Sequence, residues 1–307
     1  MIRSDVSDSG GPRAVDDNRL QEGGATMWEW LQDMAAALSD PEAWQAFRRV
    51  FIKFAIAEGW QYALVAIVFW GGLHIVLRKR LAHRLIAEWP RPGDVRREIL
   101  YSATSLLLYA AGAAAILGML ASGRVEIYSD PLKHGLPWLL LSLPAMIVWQ
   151  DFFFYCTHRL MHTRWMFRHV HGVHHRSRQP SPWAAYAMHP VEAMVNGLIP
   201  VTTLMVAPVQ EHVLALFVLH QVLRNVHGHA AVESLPHGFA RHRIGGLFTT
   251  TTHHHMHHET AQGNYALWFT WWDRVFGTER ADYLQRFDAA TGPRPAALPQ
   301  AASQLQN

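Results

Sequence analysis

Long apolar stretches without a charged residue are separated by short polar connections along the chain. Gly59–Leu77 holds 19 residues without Asp, Glu, Lys or Arg, and Ile99–Ala121 is a second run of this kind. At 1.5 Å per residue the first run reaches roughly 29 Å, the thickness of the hydrocarbon core of a bilayer. A third run begins at Gly135, passes Gln150 and continues to His158. These runs predict helices that cross a membrane.

Two shorter apolar segments, Ala193–Ala207 and His212–Leu223, are separated by Pro208, which predicts a helical hairpin. With the three longer runs they predict an all-α, multi-pass membrane bundle of about four transmembrane helices and a cytosolic helical cap. The mean hydropathy of the chain is only −0.02 because polar ends dilute the apolar blocks.

Composition divides the chain into four predicted segments. Residues 1–26 are polar and rich in Gly and Asp, so we expect a disordered lead, and residues 27–57 are expected to form amphipathic helices at the membrane interface. Residues 58–280 would be the membrane-embedded domain. Residues 281–307 are rich in Ala, Pro and Gln and predict a disordered tail.

The charge distribution indicates a topology and excludes one class of partner. The 27 Lys and Arg residues against 24 Asp and Glu are too evenly balanced for a nucleic-acid-binding surface. The connection 78–98 carries seven Lys or Arg residues and the connection 122–134 carries two, so positive-inside counting places 78–98 in the cytoplasm. The end of the third run returns to that side. The single Cys156 excludes an internal disulfide.

Histidine is the unusual residue of this chain: 18 of its 21 histidines lie between His158 and His258. They include one HxxxH motif and two HxxHH motifs, and at this histidine frequency chance gives roughly 0.1 HxxHH match. The motif histidines are His158 and His162, then His171, His174 and His175, and finally His254, His257 and His258.

The spacing of these motifs is typical of metal chelation. Residues i and i+4 of a helix lie on one face, so His158 and His162 can bind the same ion. Eight imidazoles exceed the three or four that one zinc ion takes, so two ions are expected. Asp151 and Tyr155 share that helix face with His158 and His162. We therefore expect Asp151 and Tyr155 to orient a ligand imidazole through its other ring nitrogen, although Asp151 could simply be a helix-end residue in the headgroup zone.

The ordered motifs resemble the fatty acid hydroxylase/sterol desaturase superfamily. The matching segments are D-x3-Y-x2-HR-x2-H from Asp151, HGVHH from His171, HPVE from His189, HAAVE from His229, HHMHH from His254 and WWDRVFGT from Trp271. The resemblance implies an integral membrane enzyme with two iron ions, which uses O₂ and external electrons to hydroxylate or desaturate a lipid. It also implies that the histidine motifs face the cytosol, here of a bacterial inner membrane.

The resemblance implies the eight motif histidines as metal ligands and His229 as a ninth. The register of the last motif is ambiguous because His253 precedes it and His255 lies within it; pairing with His257-His258 selects His254. The contributions of His189, His220 and His253 stay open, and the remaining histidines are expected to be structural. The family pattern has Asn-aromatic-Gly before its WD motif, whereas this chain has Asn264-Tyr265-Ala266, which puts the local turn in doubt.

Other kinds of metal protein fit the sequence less well. Imidazole suits Fe, Zn, Cu and Ni, and Zn could replace Fe in a purified protein, but only a redox-active metal activates O₂. A zinc peptidase needs a Glu beside the first His, where this chain has Arg159 or Gly172. A metal transporter or metal-binding membrane protein is the alternative. Transporter sites lie near the bilayer midplane, whereas these motifs lie past the end of an apolar run and in the polar segments that follow, at the interface.

Electrons must come from outside, since the chain has no GxGxxG, CxxC or CxxCH motif. A ferredoxin- or cytochrome-type donor is therefore expected at the cytoplasmic face. A set of arginines near the first two motifs could bind this donor or anionic lipid headgroups: Arg159, Arg164, Arg168, Arg176 and Arg178. Neither the lipid substrate nor the choice between hydroxylation and desaturation follows from the sequence.

Overall fold

The structure is a computed structural model, and it describes Asp40–Ala121 and Gly123–Pro293. Its contacts divide the chain into two units, Met1–Ala46 and Phe47–Asn307. The described part of the first unit is the beginning of helix α1. The predicted disordered lead, residues 1–26, lies outside the described residues.

The described segments are almost entirely helical. The long helices are α1 (Pro41–Phe69, extended by a π-helical turn, Trp70–Val76), α3 (Pro92–Ala121) and α4 (Gly135–Met161), and the short helix α2 (Arg78–Leu81) lies between α1 and α3. The later helices are α5 (Arg164–His169), α6 (Pro190–Val206), α7 (Glu211–Gly228), α8 (Thr251–Thr260), α9 (Trp271–Val275) and α10 (Tyr283–Thr291). Strands β1 (Ile127–Tyr128) and β2 (Val209–Gln210) pair in parallel, with Ile127 opposite Val209.

Within the described residues, three segments are long and apolar enough to cross a membrane: Pro41–Val76, Pro92–Leu120 and Gly135–Met161. Large apolar side chains on them are exposed, such as Leu140, of which 65% is accessible, as expected for surfaces that contact lipid. The prediction of an all-α, multi-pass membrane protein is confirmed. The two helices predicted around Pro208 are present as α6 and α7, and α6 is apolar but shorter, with 17 residues.

Helix α1 does not show the boundary predicted at residues 57 and 58, where interfacial helices were expected to end and the first membrane segment to begin. The helix continues through this position without a break. The sequence offers only Gly59 as a helix-weakening residue there, and a single glycine is tolerated within a helix. The interfacial segment and the first span are therefore one helix over the described residues.

Two apolar clusters attach the long helices to the segments that carry histidines. In one cluster the ring of Tyr62 in α1 stacks on Tyr186, with ring centroids 4.7 Å apart. In the other, Met146 of α4 packs with Phe217 of α7 and with Trp268. Burial of each such side chain contributes roughly 1.5–3 kcal/mol, so the second cluster holds α4 against α7.

The predicted disordered tail from residue 281 is wrong for Tyr283–Thr291, which forms α10. Tyr283 and Phe287, one helical turn apart, are both buried and pack against Met256 of α8. The hydroxyl of Tyr283 also donates to Thr250 Oγ1 at 3.3 Å. The Ala/Pro/Gln-rich composition that predicted the tail begins after this aromatic pair.

Candidate metal centre

The three histidine motifs lie on three separate segments, two of them α-helical and one a 3₁₀ helix. His158 is in the last turn of α4 and His162 caps its end. The second motif forms a 3₁₀ helix, His171–Arg176, instead of an α-helix. The third lies on α8, and His229 caps the end of α7. All four segments bring their imidazoles into one buried region.

The structure gathers all nine predicted histidines into two groups. The ring nitrogens within each group lie within 4.8 Å of one another. The first group has five members: His158, His162, His171, His175 and His257. The second has four members: His174, His229, His254 and His258. The two groups are neighbours. The ring centroid of His175 in the first group lies 5.8 Å from that of His174 and 4.9 Å from that of His258, both in the second group.

In five of the nine rings, a backbone carbonyl or a carboxylate that accepts from Nδ1 determines which nitrogen faces inward. In the first group, His158 Nδ1 donates to the carbonyl of Tyr265 at 2.7 Å, and His171 Nδ1 donates to the buried carboxylate of Glu192 at 2.8 Å. His257 Nδ1 donates to the carbonyl of Gly263 at 2.8 Å. Such partners fix the tautomer and the orientation of the ring, and they leave Nε2 free to bind a metal.

The second group is held in the same way. His174 Nδ1 donates to the carbonyl of Ala187 at 3.1 Å, and His229 Nδ1 donates to the carbonyl of Asn225 at 2.7 Å. Burial lowers the pKa of His174 to about 4 and that of His229 to about 3. These imidazoles are therefore neutral at pH 7, which is the form that binds a metal ion.

The facing nitrogens fit a cation. A neutral imidazole carries one ring hydrogen, and in His158 and His171 that hydrogen is on Nδ1. Their Nε2 atoms nevertheless lie 3.0 Å apart, and those of His174 and His229 lie 3.4 Å apart. Two lone pairs at these distances repel each other unless both bind a positive ion. The donor set of five and four imidazoles therefore fits a pair of transition-metal ions.

The ambiguous register of the third motif resolves in favour of His254. Its Nε2 lies 3.0 Å from that of His229, whereas His253 and His255 belong to neither group. His253 instead lies 3.6 Å from the carboxylate of Asp273 and contacts the ring of Tyr283. His189, which caps α6, and His220, whose ring contacts Trp268, also lie outside both groups.

Asp151 and Tyr155 do not orient an imidazole, contrary to the prediction. The carboxylate of Asp151 accepts the backbone N–H groups of Trp268 and Phe269 at 2.8 and 3.2 Å. The hydroxyl of Tyr155 is 2.9 Å from Thr278 Oγ1. Both side chains point to the helix face that was expected, but that face contacts later segments of the chain. Asp151 bonds to the loop after α8, and Tyr155 bonds to a residue that follows α9.

The loop after α8 also shows how the chain accommodates its unusual Asn264-Tyr265-Ala266 sequence. Asn264 adopts a left-handed conformation with φ +53°, which asparagine tolerates better than most residues. The carboxylate of Asp273 then accepts the backbone N–H groups of Tyr265 and Ala266 at 2.8 and 2.9 Å. These bonds place the carbonyl of Tyr265 against His158.

The sequence analysis assigned no role to the groups that orient the rings. The clearest is Glu192, which is buried and bonds to His171. Its position in the HPVE motif was visible, but nothing in the sequence paired it with a particular histidine. The other partners are backbone carbonyls, which carry no side-chain signal.

Comparison with known proteins locates this site within a family. Residues 143–278 match the model of the fatty acid hydroxylase family. This segment begins within α4, ends after α9 and includes all nine grouped histidines. The match covers less than half of the chain, and this segment is similar to fatty acid hydroxylases. The resemblance of its motifs to that superfamily is confirmed, and with its three apolar helices the chain is an integral membrane protein.

Similar curated proteins act on different lipids according to their names. A Delta(7)-sterol 5(6)-desaturase of Gibberella zeae is 30% identical over 52% of this chain and 48% of its own length. The lathosterol oxidase of Rattus norvegicus is 30% identical over 60% of this chain and 61% of its own length. A very-long-chain aldehyde decarbonylase of Oryza sativa subsp. indica is 28% identical over 81% of this chain and 95% of its own length.

The share of each relative that the chain covers differs. The chain spans about half the length of the sterol desaturase that it matches. No solved structure matches the chain. Helices α1 to α3 precede the matched segment and α10 follows it.

Proposed function

We propose that this protein is an O₂-dependent, non-haem di-iron oxidoreductase that hydroxylates or desaturates an unactivated C–H bond of a membrane lipid. The observation that carries the proposal is the pair of adjacent, buried all-histidine groups whose Nε2 atoms face one another. Sterol desaturases, a lathosterol oxidase and methylsterol monooxygenases among the similar proteins support a lipid substrate.

Iron, when bound by these histidines, would supply the redox chemistry that zinc lacks. Hydroxylation consumes one O₂, two electrons and two protons, and it yields the alcohol and one water. Desaturation with the same inputs yields the double bond and two waters. The protein has to keep nine imidazoles neutral, hold their Nε2 atoms inward and exclude bulk water. Burial favours the neutral form of the imidazoles, and the hydrogen-bond partners of Nδ1 orient five of the nine rings.

The arrangement also supports a route for the reactants. The histidines lie at the end of α4 and in the segments that follow it, so a lipid chain can approach from the bilayer side. The five arginines between Arg159 and Arg178 are exposed and lie on the segments of the first two motifs. In our proposal they face the cytoplasm of a bacterial cell and bind either a ferredoxin- or cytochrome-type donor or anionic headgroups.

Asp151 and Tyr155 have a positioning role in this proposal. They anchor the loop that presents the carbonyl of Tyr265 to His158, and neither touches a ligand ring. Their substitution should change metal affinity less than substitution of Glu192, which bonds to a ring directly.

The test is lipid mass spectrometry of cells that express the wild type, His257→Leu or His255→Leu, together with the metal content of each purified protein. His257 belongs to the five-histidine group, while His255 lies on the same helix, is equally buried and has neither ring nitrogen hydrogen-bonded. We expect a lipid with one added oxygen or double bond in the wild type and in His255→Leu cells, and none with His257→Leu. A full complement of bound iron without any oxidised lipid would favour a metal-binding protein instead.

A further inference from the structure

A groove lies between the end of the first membrane segment and the start of the second, away from the histidine groups. It has a volume of about 600 Å³, and its walls include Trp70, Trp89 and Leu100. Only two arginines, Arg78 and Arg96, provide permanent charges in the wall. An apolar cavity with two cations and no lining carboxylate is matched to a ligand that has an apolar body and an anionic head.

The position of the groove fits the headgroup layer of a membrane. The first candidate span ends at Val76 and the second begins at Pro92, so both leave the membrane on the same side. Beside the groove, 78% of Val76 and 60% of Leu100 are exposed. This surface continues the lipid-facing sides of both helices, so an acyl chain can lie along it while its headgroup stays in the groove.

The two arginines are available for an anion. The guanidinium of Arg78 lies 4.6 Å above the ring of Trp89, which holds it at the wall. Arg96 is exposed and makes no ion pair or hydrogen bond within the part of the chain that the structure describes. The nearby acids Glu88 and Asp94 pair with other arginines.

We propose that this groove binds an anionic phospholipid, with the phosphate at Arg78 and Arg96 and an acyl chain against Trp70 and Leu100. The site is independent of the proposed oxidation. It has a structural link to the metal centre, because His74 lines the groove and donates from Nε2 to the carbonyl of Ala230 at 2.9 Å. Ala230 follows His229, so the bound lipid would brace the segment that carries this histidine.

The binding site can be tested on the purified, metal-loaded full chain in detergent. Phosphatidylglycerol is titrated, bound lipids are counted by native mass spectrometry, and thermal unfolding is recorded. Each arginine near the membrane surface contributes enough to change the affinity about fivefold, so Arg78→Gln/Arg96→Gln should bind phosphatidylglycerol about 30-fold more weakly. Lys79→Gln/Arg80→Gln removes the same charge from the neighbouring turn without touching the groove, and it should bind like the wild type.

Three results would overturn the proposal. An equal loss in both double variants would mean that diffuse surface charge attracts the lipid. Equal binding of phosphatidylcholine would mean that the arginines do not select an anionic lipid. Stabilisation by inorganic phosphate alone, to the same extent as by phosphatidylglycerol, would identify a site for a free anion. Loss of oxidation activity with lipid binding intact would affect only the proposed function.

Discussion

The carbonyl of Gly263 offers a way to disturb one metal ligand without replacing it. Gly263 has φ +71°, and an added Cβ would lie 2.9 Å from the carbonyl oxygen of Thr278. That oxygen cannot retreat easily, because it accepts the N–H of Asn264 at 2.8 Å. In Gly263→Ala the turn must therefore shift, and with it the carbonyl that holds His257 Nδ1 at 2.8 Å.

The expected magnitude has two parts. Alanine in a left-handed conformation costs about 1–2 kcal/mol of folding free energy. Loss of the group that orients a metal-binding imidazole lowers metal affinity about 10- to 100-fold, equivalent to about 1.4–2.7 kcal/mol. The variant Gly277→Ala separates the folding cost from the loss of metal affinity, because Gly277 also has a positive φ, +66°, but nothing lies within 4 Å of its added Cβ. Gly277→Ala should lose stability and retain metal affinity.

The assay is competition with a chelator, which measures the affinity of the purified protein for each of its two ions, combined with thermal unfolding. In Gly263→Ala we expect one ion to be lost at lower chelator concentration, while the second ion, bound by the group that contains His229, is retained. If Gly263→Ala and Gly277→Ala bind both ions equally well, the carbonyl of Gly263 does not orient His257, and the argument for backbone control of the imidazoles is refuted.

The other predictions concern the remaining ring partners, the loop anchor and pH. Glu192→Ala should weaken metal binding about 10- to 100-fold through His171, and an unchanged affinity in chelator competition would contradict this role. Asp151→Ala leaves the buried N–H of Trp268 and the partly buried N–H of Phe269 without their acceptor. Loss of the acceptor costs about 1–3 kcal/mol for a buried group, so the unfolding temperature should fall, while the metal affinity should change less than in Glu192→Ala. Acidification from pH 7 to 5 should destabilise the metal-free protein. In the unfolded state His174 and His229 take up protons near pH 6.5, whereas in the folded state burial lowers their pKa to about 4 and about 3, so that protonation favours unfolding. An unfolding temperature of the metal-free protein that stays constant over this range would contradict this.

Local patterns were sufficient for the long helices and for most of the histidines that the structure groups. The uncharged runs identified α3 and α4, because a bilayer requires a minimum length of apolar helix whatever the rest of the chain does. The HxxxH and HxxHH motifs likewise identified eight of the nine grouped imidazoles, and the family resemblance added His229. The error at α10 arose where a short helix is stabilised by burial of Tyr283 and Phe287, since no local signal shows that Met256 will cover them.

The partners of the side chains could not be predicted in the same way. The sequence placed Asp151 and Tyr155 on the face of His158 correctly, because helix periodicity is local. It could not show that two segments more than a hundred residues later would bond to these side chains. The sequence by itself determined the long apolar spans and the histidines of the three motifs. Only the tertiary structure decided the division into groups of five and four, the grouping of His254 instead of its neighbours, and the partners that hold Nδ1 in five of the rings, because these depend on contacts between segments distant along the chain.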